Sequence, residues 1–190
     1  MQLDVRTSAA PVLACLREAT GDLHRRLEAR FDAVGELADP KRKPGAIARY
    51  KAFYASAHAA LAPSLAEMEG LDFSFRVRSW RSIQSPAPVA QVPDFPAPAN
   101  PSEALGSCYV VEGSTLGGRI ILRELDRMGA ADPELAFLDP YGSAAGSMWR
   151  SLLAVLERDG ARGPAHLQSL CRGAVRGFAH AERVLCGDLA

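Results

Sequence analysis

Apolar side chains recur at intervals of three and four residues along most of this 190-residue chain, and no segment shows the alternation of a strand. The pattern breaks at glycine and proline clusters, the longest being a proline-rich loop over 83–101. Asn100, Pro101 and Glu103 form a capping sequence that starts a helix after this loop. The sequence therefore predicts an all-α single domain over residues 1–190. Its expected helices span 11–30, 46–69 with a kink at Pro63 and a cap at Gly70, 101–128, 143–158 and 165–187.

Composition narrows the class of protein. Basic and acidic residues number 22 each, so the overall charge predicts no attraction to nucleic acid or to a membrane surface. No apolar run reaches the length of a membrane helix, and residues 1–10 contain no apolar run of signal-peptide length. The four cysteines have neither zinc spacing nor a CxxC pair, and they are interpreted as small core residues of a cytoplasmic protein.

The first expected helix carries a histidine beside its apolar stripe. Arg17, Thr20, His24 and Glu28 follow one another at steps of three and four, so they share one strip of the helix surface. Glu28 is in reach of the second ring nitrogen of His24, and carboxylates orient metal-ligating histidines in this way. This arrangement predicts that His24 is a metal ligand oriented by Glu28. The alternative is a half-buried histidine in an i,i+4 salt bridge.

The middle of the third expected helix has three closely spaced glycines, Gly113, Gly117 and Gly118, each about 1 kcal/mol less favourable than alanine. Bare backbone would let a flat ligand approach the helix axis. The alternative is close helix packing through Gly113 and Gly117. A glycine-flattened helix together with a ligand histidine on another helix is what a planar metal macrocycle between two helices requires.

The run LREATGDLH followed by Glu28 resembles the proximal-helix motif of the heme oxygenases, and EGSTLGG resembles their distal helix. The similarity covers essentially the whole chain, and the form YVVEGSTLGGR is most similar to the bacterial heme oxygenases that accompany bacteriophytochromes. The resemblance implies a helical bundle of that type in which heme is both cofactor and substrate. Heme would be cleaved to biliverdin, carbon monoxide and ferrous iron. Its partners would be O2, a ferredoxin or flavoprotein reductase as electron donor, and a bacteriophytochrome that receives the product.

The resemblance assigns roles to individual positions. His24 corresponds to the iron ligand and Glu28 to its supporting carboxylate. Arg17 corresponds to a propionate contact and Tyr109 to a tyrosine near the propionate edge, while Gly117 and Gly118 correspond to the paired glycines over the heme. Further expected site residues are Thr20 on the His24 strip, Arg176 as a propionate contact, Phe178 as heme wall, and Gly113 and Ser114 on the distal helix.

Two other functions are compatible with the sequence. Ser114 stands where the mammalian enzymes have an aspartate that organises a proton-delivering water network, and a serine hydroxyl cannot carry that charge. This departure favours a non-enzymatic heme carrier. A thiaminase-like enzyme on a related helical fold is the other alternative, and it would require a nucleophilic cysteine with an acidic partner.

Overall fold

The computed structural model describes the backbone of residues 11–81 and 94–187 and the side chains of 11–77 and 94–187. Every regular element in these residues is helical, which confirms the predicted all-α class. Two short 3-10 segments, Pro133–Leu138 and Gly142–Ala144, connect the fifth and sixth helices. The α-helices are α1 (Pro11–Arg30), α2 (Ala33–Ala38), α3 (Lys43–Leu65), α4 (Phe73–Arg81), α5 (Pro101–Arg127), α6 (Ala145–Gly160) and α7 (Pro164–Leu185).

The long helices lie close to their predicted positions, and the differences have local causes. Helix α3 ends at Leu65, so the predicted extension to residue 69 is wrong, and Pro63 lies in its last turn. Gly70 has φ 80° and lies in the turn that follows rather than at the helix end. Helices α2 and α4 are too short to show a helical period in the sequence. Residues 94–100 are non-helical, and 82–93 of the predicted loop lie outside the described residues.

The predicted cap at the start of α5 is confirmed. The side-chain oxygen of Asn100 accepts a hydrogen bond of 2.9 Å from the backbone N–H of Glu103. Pro101 occupies the first helical position, where its missing N–H costs nothing. The Glu103 carboxylate accepts a hydrogen bond of 3.1 Å from the backbone N–H of Ala99, the residue before the Asn100 cap. These contacts fix where the helix that carries the glycines begins.

Helices α5 and α7 pack closely and run parallel. A Cβ on Gly106 would lie 1.9 Å from the carbonyl oxygen of Leu170, so only glycine permits this approach. Further along both helices, Gly177 faces Val110, whose Cγ2 would lie 3.0 Å from an added Cβ. The contacts advance in the same direction on the two helices, which is why their N-terminal ends lie together.

Helix α1 packs on α7 in the same direction. The side chains of Val12 and Leu170 meet beside Gly160, near the start of α1. Near its end, Arg26 Nε donates to the Glu182 carboxylate at 2.8 Å. Helices α1, α5 and α7 are therefore mutually parallel, so residues on α1 and α5 that contact the same level of α7 lie at the same height.

Buried apolar residues from all seven helices form one contiguous cluster. His180 lies inside it with no exposed surface, and its Nε2 is 2.8 Å from the Ser56 hydroxyl. Burial lowers the pKa of His180 to about 4, and the charge of Arg183 adds to the shift. No helix in the described part of the chain has a stretch long and apolar enough to span a bilayer.

Stability is expected to depend on pH through His180. Because its pKa in the folded state lies below the ordinary 6.5, the unfolded chain takes up a proton first as the pH falls. The contribution of His180 is complete above about pH 6.5 and is lost as the pH falls toward 4. A His180→Gln variant should show a flatter dependence of the unfolding free energy on pH over this range, measured by urea denaturation. A wild type and variant that differ by the same amount at every pH would contradict a neutral buried imidazole.

Candidate functional site

His24 projects from α1 with 57% of its side chain exposed. Its Nδ1 lies 3.3 Å from Oε2 of Glu28, one turn later on the same face, as the sequence predicts. A carboxylate that accepts the Nδ1 proton fixes the tautomer with a lone pair on Nε2 and makes the imidazole a better ligand. The pair can therefore present Nε2 to a metal from the surface of α1.

Phe178 from α7 supports the imidazole. The two ring centroids are 5.6 Å apart and the rings are nearly perpendicular, at 75°. An edge-to-face contact of this kind restricts the rotation of an otherwise exposed ring. The contact places His24 at the level of Gly177 on α7.

Arg17 and Tyr109 connect α1 to α5. The Arg17 guanidinium lies close enough to the Tyr109 hydroxyl to lower its pKa, while Trp149 of α6 packs against the tyrosine ring at 5.7 Å between centroids. Burial raises the pKa of the Tyr109 hydroxyl, and Arg17 partly offsets the shift. Two residues assigned to the same edge of the site are therefore in contact, with the exposed arginine above the half-buried tyrosine.

The α5 glycines divide into two groups. Gly113 and Gly117 follow Tyr109 at steps of four, so the three residues form one strip. A Cβ on Gly117 would meet nothing within 4 Å, and one on Gly113 would meet only Trp149, at 3.9 Å. The packing alternative for Gly113 and Gly117 is therefore wrong, since neither touches a neighbouring helix backbone.

Gly118 faces a different side of α5. A Cβ there would lie 2.2 Å from the carbonyl oxygen of Leu138 in the first 3-10 segment. The prediction that Gly118 opens α5 to a ligand is wrong, because its missing Cβ admits the protein's own backbone. One residue of helix advance, about 100°, separates an open glycine from a packed one.

Ser114 takes part in a directed chain of hydrogen bonds. Its hydroxyl donates to the carbonyl of Val111 at 2.6 Å. The buried hydroxyl of Tyr54, on α3, lies 2.8 Å from Ser114 Oγ and is the donor in that contact, because the serine proton is already used. Ser114 can then accept a further hydrogen bond but has no proton to donate. Tyr54 lies sixty residues earlier in the chain, and no sequence pattern connects it with Ser114.

A buried ion pair anchors the helix segment that carries the glycines. Arg76 of α4 is fully buried and contacts the carboxylate of Glu112, which also accepts a hydrogen bond of 2.9 Å from the Tyr141 hydroxyl. The guanidinium further donates to the carbonyl of Met148 at 2.8 Å and to the Ser151 hydroxyl at 2.9 Å. Burial raises the pKa of Glu112, and the contacts with Arg76 and Tyr141 oppose that shift. In the sequence, the one sign of this ion pair was Glu112, a charged residue among the apolar neighbours of Gly113.

Two predicted heme contacts are engaged elsewhere. The Thr20 hydroxyl is buried and donates to the carbonyl of Leu16 at 2.7 Å, so its proton is used inside α1. Arg176 forms an ion pair with the buried carboxylate of Glu103, near the start of α5. In the ligand-free protein, Thr20 therefore bonds within α1, and Arg176 joins α7 to α5.

The donor set suits a metal that brings most of its own ligands. Across residues 11–81 and 94–187, no group of three or more histidine, cysteine or acidic side chains could hold a metal ion. A heme iron needs only one protein ligand on its proximal side, because the porphyrin supplies the equatorial ligands. His24 with Glu28 fits that requirement.

Cys108 does not have the properties of a nucleophilic cysteine. Cys108 is buried next to Glu112, and burial together with that carboxylate raises the pKa of its thiol. A thiol in this state is protonated and inert at neutral pH. The requirement of a thiaminase-like enzyme is therefore not met at Cys108.

Comparisons of the chain with protein-family models, with curated proteins and with solved structures found no match. The function is therefore assigned from the geometry and chemistry of the side chains.

Proposed function

We propose that this protein binds heme between α1 and α5 through His24 and acts on it as a heme oxygenase, forming biliverdin, carbon monoxide and ferrous iron. The reaction would use O2 and electrons from a ferredoxin or flavoprotein reductase, in the cytoplasm, with a bacteriophytochrome as recipient of biliverdin. Heme is the substrate as well as the source of the redox chemistry.

The main support is a series of contacts that brings His24 of α1 to the height of Val110 on α5, one turn before Gly113. His24 contacts Phe178, and the adjacent Gly177 contacts Val110, so His24 is level with the segment that begins at Val110. Because Arg17 reaches Tyr109, the ligand strip of α1 is adjacent to the strip of α5 that contains Gly113 and Gly117. A planar ligand held by His24 would thus lie beside backbone that carries no side chain.

Each residue of this chain has a distinct task in the proposal. Glu28 orients His24, and Phe178 limits the rotation of the imidazole. Arg17 can exchange the Tyr109 hydroxyl for a propionate, a stronger charge-assisted acceptor. On the α5 side, Ser114 accepts a hydrogen bond and can hold a water there, while Tyr54 fixes the direction of the serine hydroxyl.

A non-enzymatic heme carrier is the second candidate, and Ser114 is the observation that favours it. The only proton of its hydroxyl is donated to Val111, so the side chain cannot deliver a proton to the ligand side. In an oxygenase, an ordered water held by Ser114 must supply that proton. The two functions share a heme site and differ in turnover.

Titration with hemin tests the site. We expect one heme per chain and a ferric absorption spectrum typical of imidazole ligation, because Nε2 of His24 is the proximal ligand. His24→Ala should abolish that spectrum. His166→Ala is the matched control, because His166 is half-buried and lies at the start of α7, where it contacts Ser102. Identical spectra for His24→Ala and the wild type would remove His24 from the site.

Turnover separates the two candidates. The heme-loaded protein is supplied with ascorbate or reduced ferredoxin in air, and biliverdin is followed by its absorption. Formation of biliverdin supports the oxygenase. Stable heme under these conditions, with His24-dependent binding intact, would instead identify a carrier.

A further inference from the structure

Two half-buried cysteines, Cys15 on α1 and Cys171 on α7, lie where these helices meet. The register of the two helices is set by Arg26 and Glu182, whose side chains are in direct contact. Cys15 precedes Arg26 by eleven residues, and Cys171 precedes Glu182 by the same eleven. Eleven residues make about three helical turns. Both cysteines therefore face the other helix at the same height.

The electrostatics of Cys171 agree with this helix register. The pKa of the Cys171 thiol is raised by burial first, and then by the electrostatic influence of Cys15 and Glu18. Cys15 thus acts on Cys171 across the two helices. The contact of His24 with Phe178, between these cysteines and the Arg26–Glu182 pair, shows that the parallel register continues along α1 and α7.

We infer that Cys15 and Cys171 are a reversible thiol–disulfide pair that links α1 to α7 under oxidation. The prediction of small core cysteines holds for Cys108, whereas this pair is only half-buried and accessible to a small oxidant. In a reducing compartment, a disulfide of this kind is typical of redox sensing rather than of permanent structure.

Hydrogen peroxide is a sufficient oxidant. One thiolate attacks a peroxide oxygen, the O–O bond breaks, and a sulfenic acid forms as hydroxide leaves. The second thiolate attacks the sulfenic sulfur, the S–S bond forms, and a second hydroxide leaves. With the two thiol protons, the hydroxides become two waters, so two thiols are oxidised and one peroxide is reduced.

The link would fix the two helices that hold His24 and Phe178. Helix α1 carries the histidine and α7 carries the ring that restrains it, so the disulfide would lock their relative position. The inference stands whether or not the protein binds heme, since the pair is defined by the packing of α1 on α7.

Peptide mapping tests the pair. The reduced protein is treated with one equivalent of hydrogen peroxide, its remaining thiols are blocked with N-ethylmaleimide, and it is digested with trypsin. We expect loss of two of the four thiols. Peptides 7–17 and 163–172 should be joined by a disulfide that dithiothreitol reverses, in a chain that stays monomeric on a non-reducing gel.

Single variants serve as controls. Cys15→Ser and Cys171→Ser should each abolish the linked peptides, whereas Cys186→Ser, which removes another half-buried cysteine beyond the end of α7, should keep them. The inference is overturned if all four thiols stay free, if both cysteines oxidise without linking, or if the link forms between chains or through Cys186.

Discussion

Replacing Glu112 with leucine is expected to lower the free energy of unfolding by about 3–5 kcal/mol, the cost of leaving a buried charge without its partner. The Arg76 guanidinium has no exposed surface, and its other acceptors are neutral carbonyl and hydroxyl oxygens. The Tyr141 hydroxyl would also lose its acceptor. The loss is measured by urea denaturation at neutral pH.

Two further variants make this prediction specific. Glu124→Leu is the matched control, because Glu124 lies on the same helix and pairs with Arg127 at the surface. Removing that pair should change the unfolding free energy by less than about 1 kcal/mol. The double variant Arg76→Met with Glu112→Leu should recover much of the loss, because no buried charge is left unpaired. Additive effects of the two substitutions would contradict a coupled buried pair.

Alanine at Gly118 and alanine at Gly117 are expected to change stability in opposite directions. Both substitutions raise helix propensity by about 1 kcal/mol. At Gly118 the new Cβ must displace the backbone of Leu138, and overpacking of this kind costs about 1–3 kcal/mol or more. Because the obstruction is backbone rather than a flexible side chain, we expect a net loss of about 2 kcal/mol. At Gly117 the Cβ enters open space, so the gain in propensity should remain.

The same two variants separate packing from ligand binding. Thermal and urea unfolding of the ligand-free proteins measures the effect on packing, and hemin titration measures the effect on ligand binding. Gly117→Ala should stay folded and lose heme affinity, because its methyl group stands on the face proposed for heme. A destabilised Gly117→Ala protein, or a Gly118→Ala protein as stable as the wild type, would reverse the assignment of the two glycines.

Local signals in the sequence determined the main helices and one contact of the site. The period of three and four residues placed α1 and α5, and Asn100 caps the start of α5 as predicted, although Glu103 bonds to Ala99 rather than to the cap residue. The i,i+4 spacing of His24 and Glu28 gave their contact directly. These features depend on residues within a turn or two of one another, so helix geometry alone is enough to predict them.

Only the tertiary structure decided what each helix face meets. Gly117 and Gly118 are equivalent by sequence, yet one faces open space and the other the carbonyl of Leu138, because the first 3-10 segment packs on one side of α5. Thirty-six residues separate Arg76 from Glu112, and seventy-three separate Arg176 from Glu103. Which charged side chains meet depends on how distant helices stack around a shared core, and helical periodicity carries no information about that arrangement.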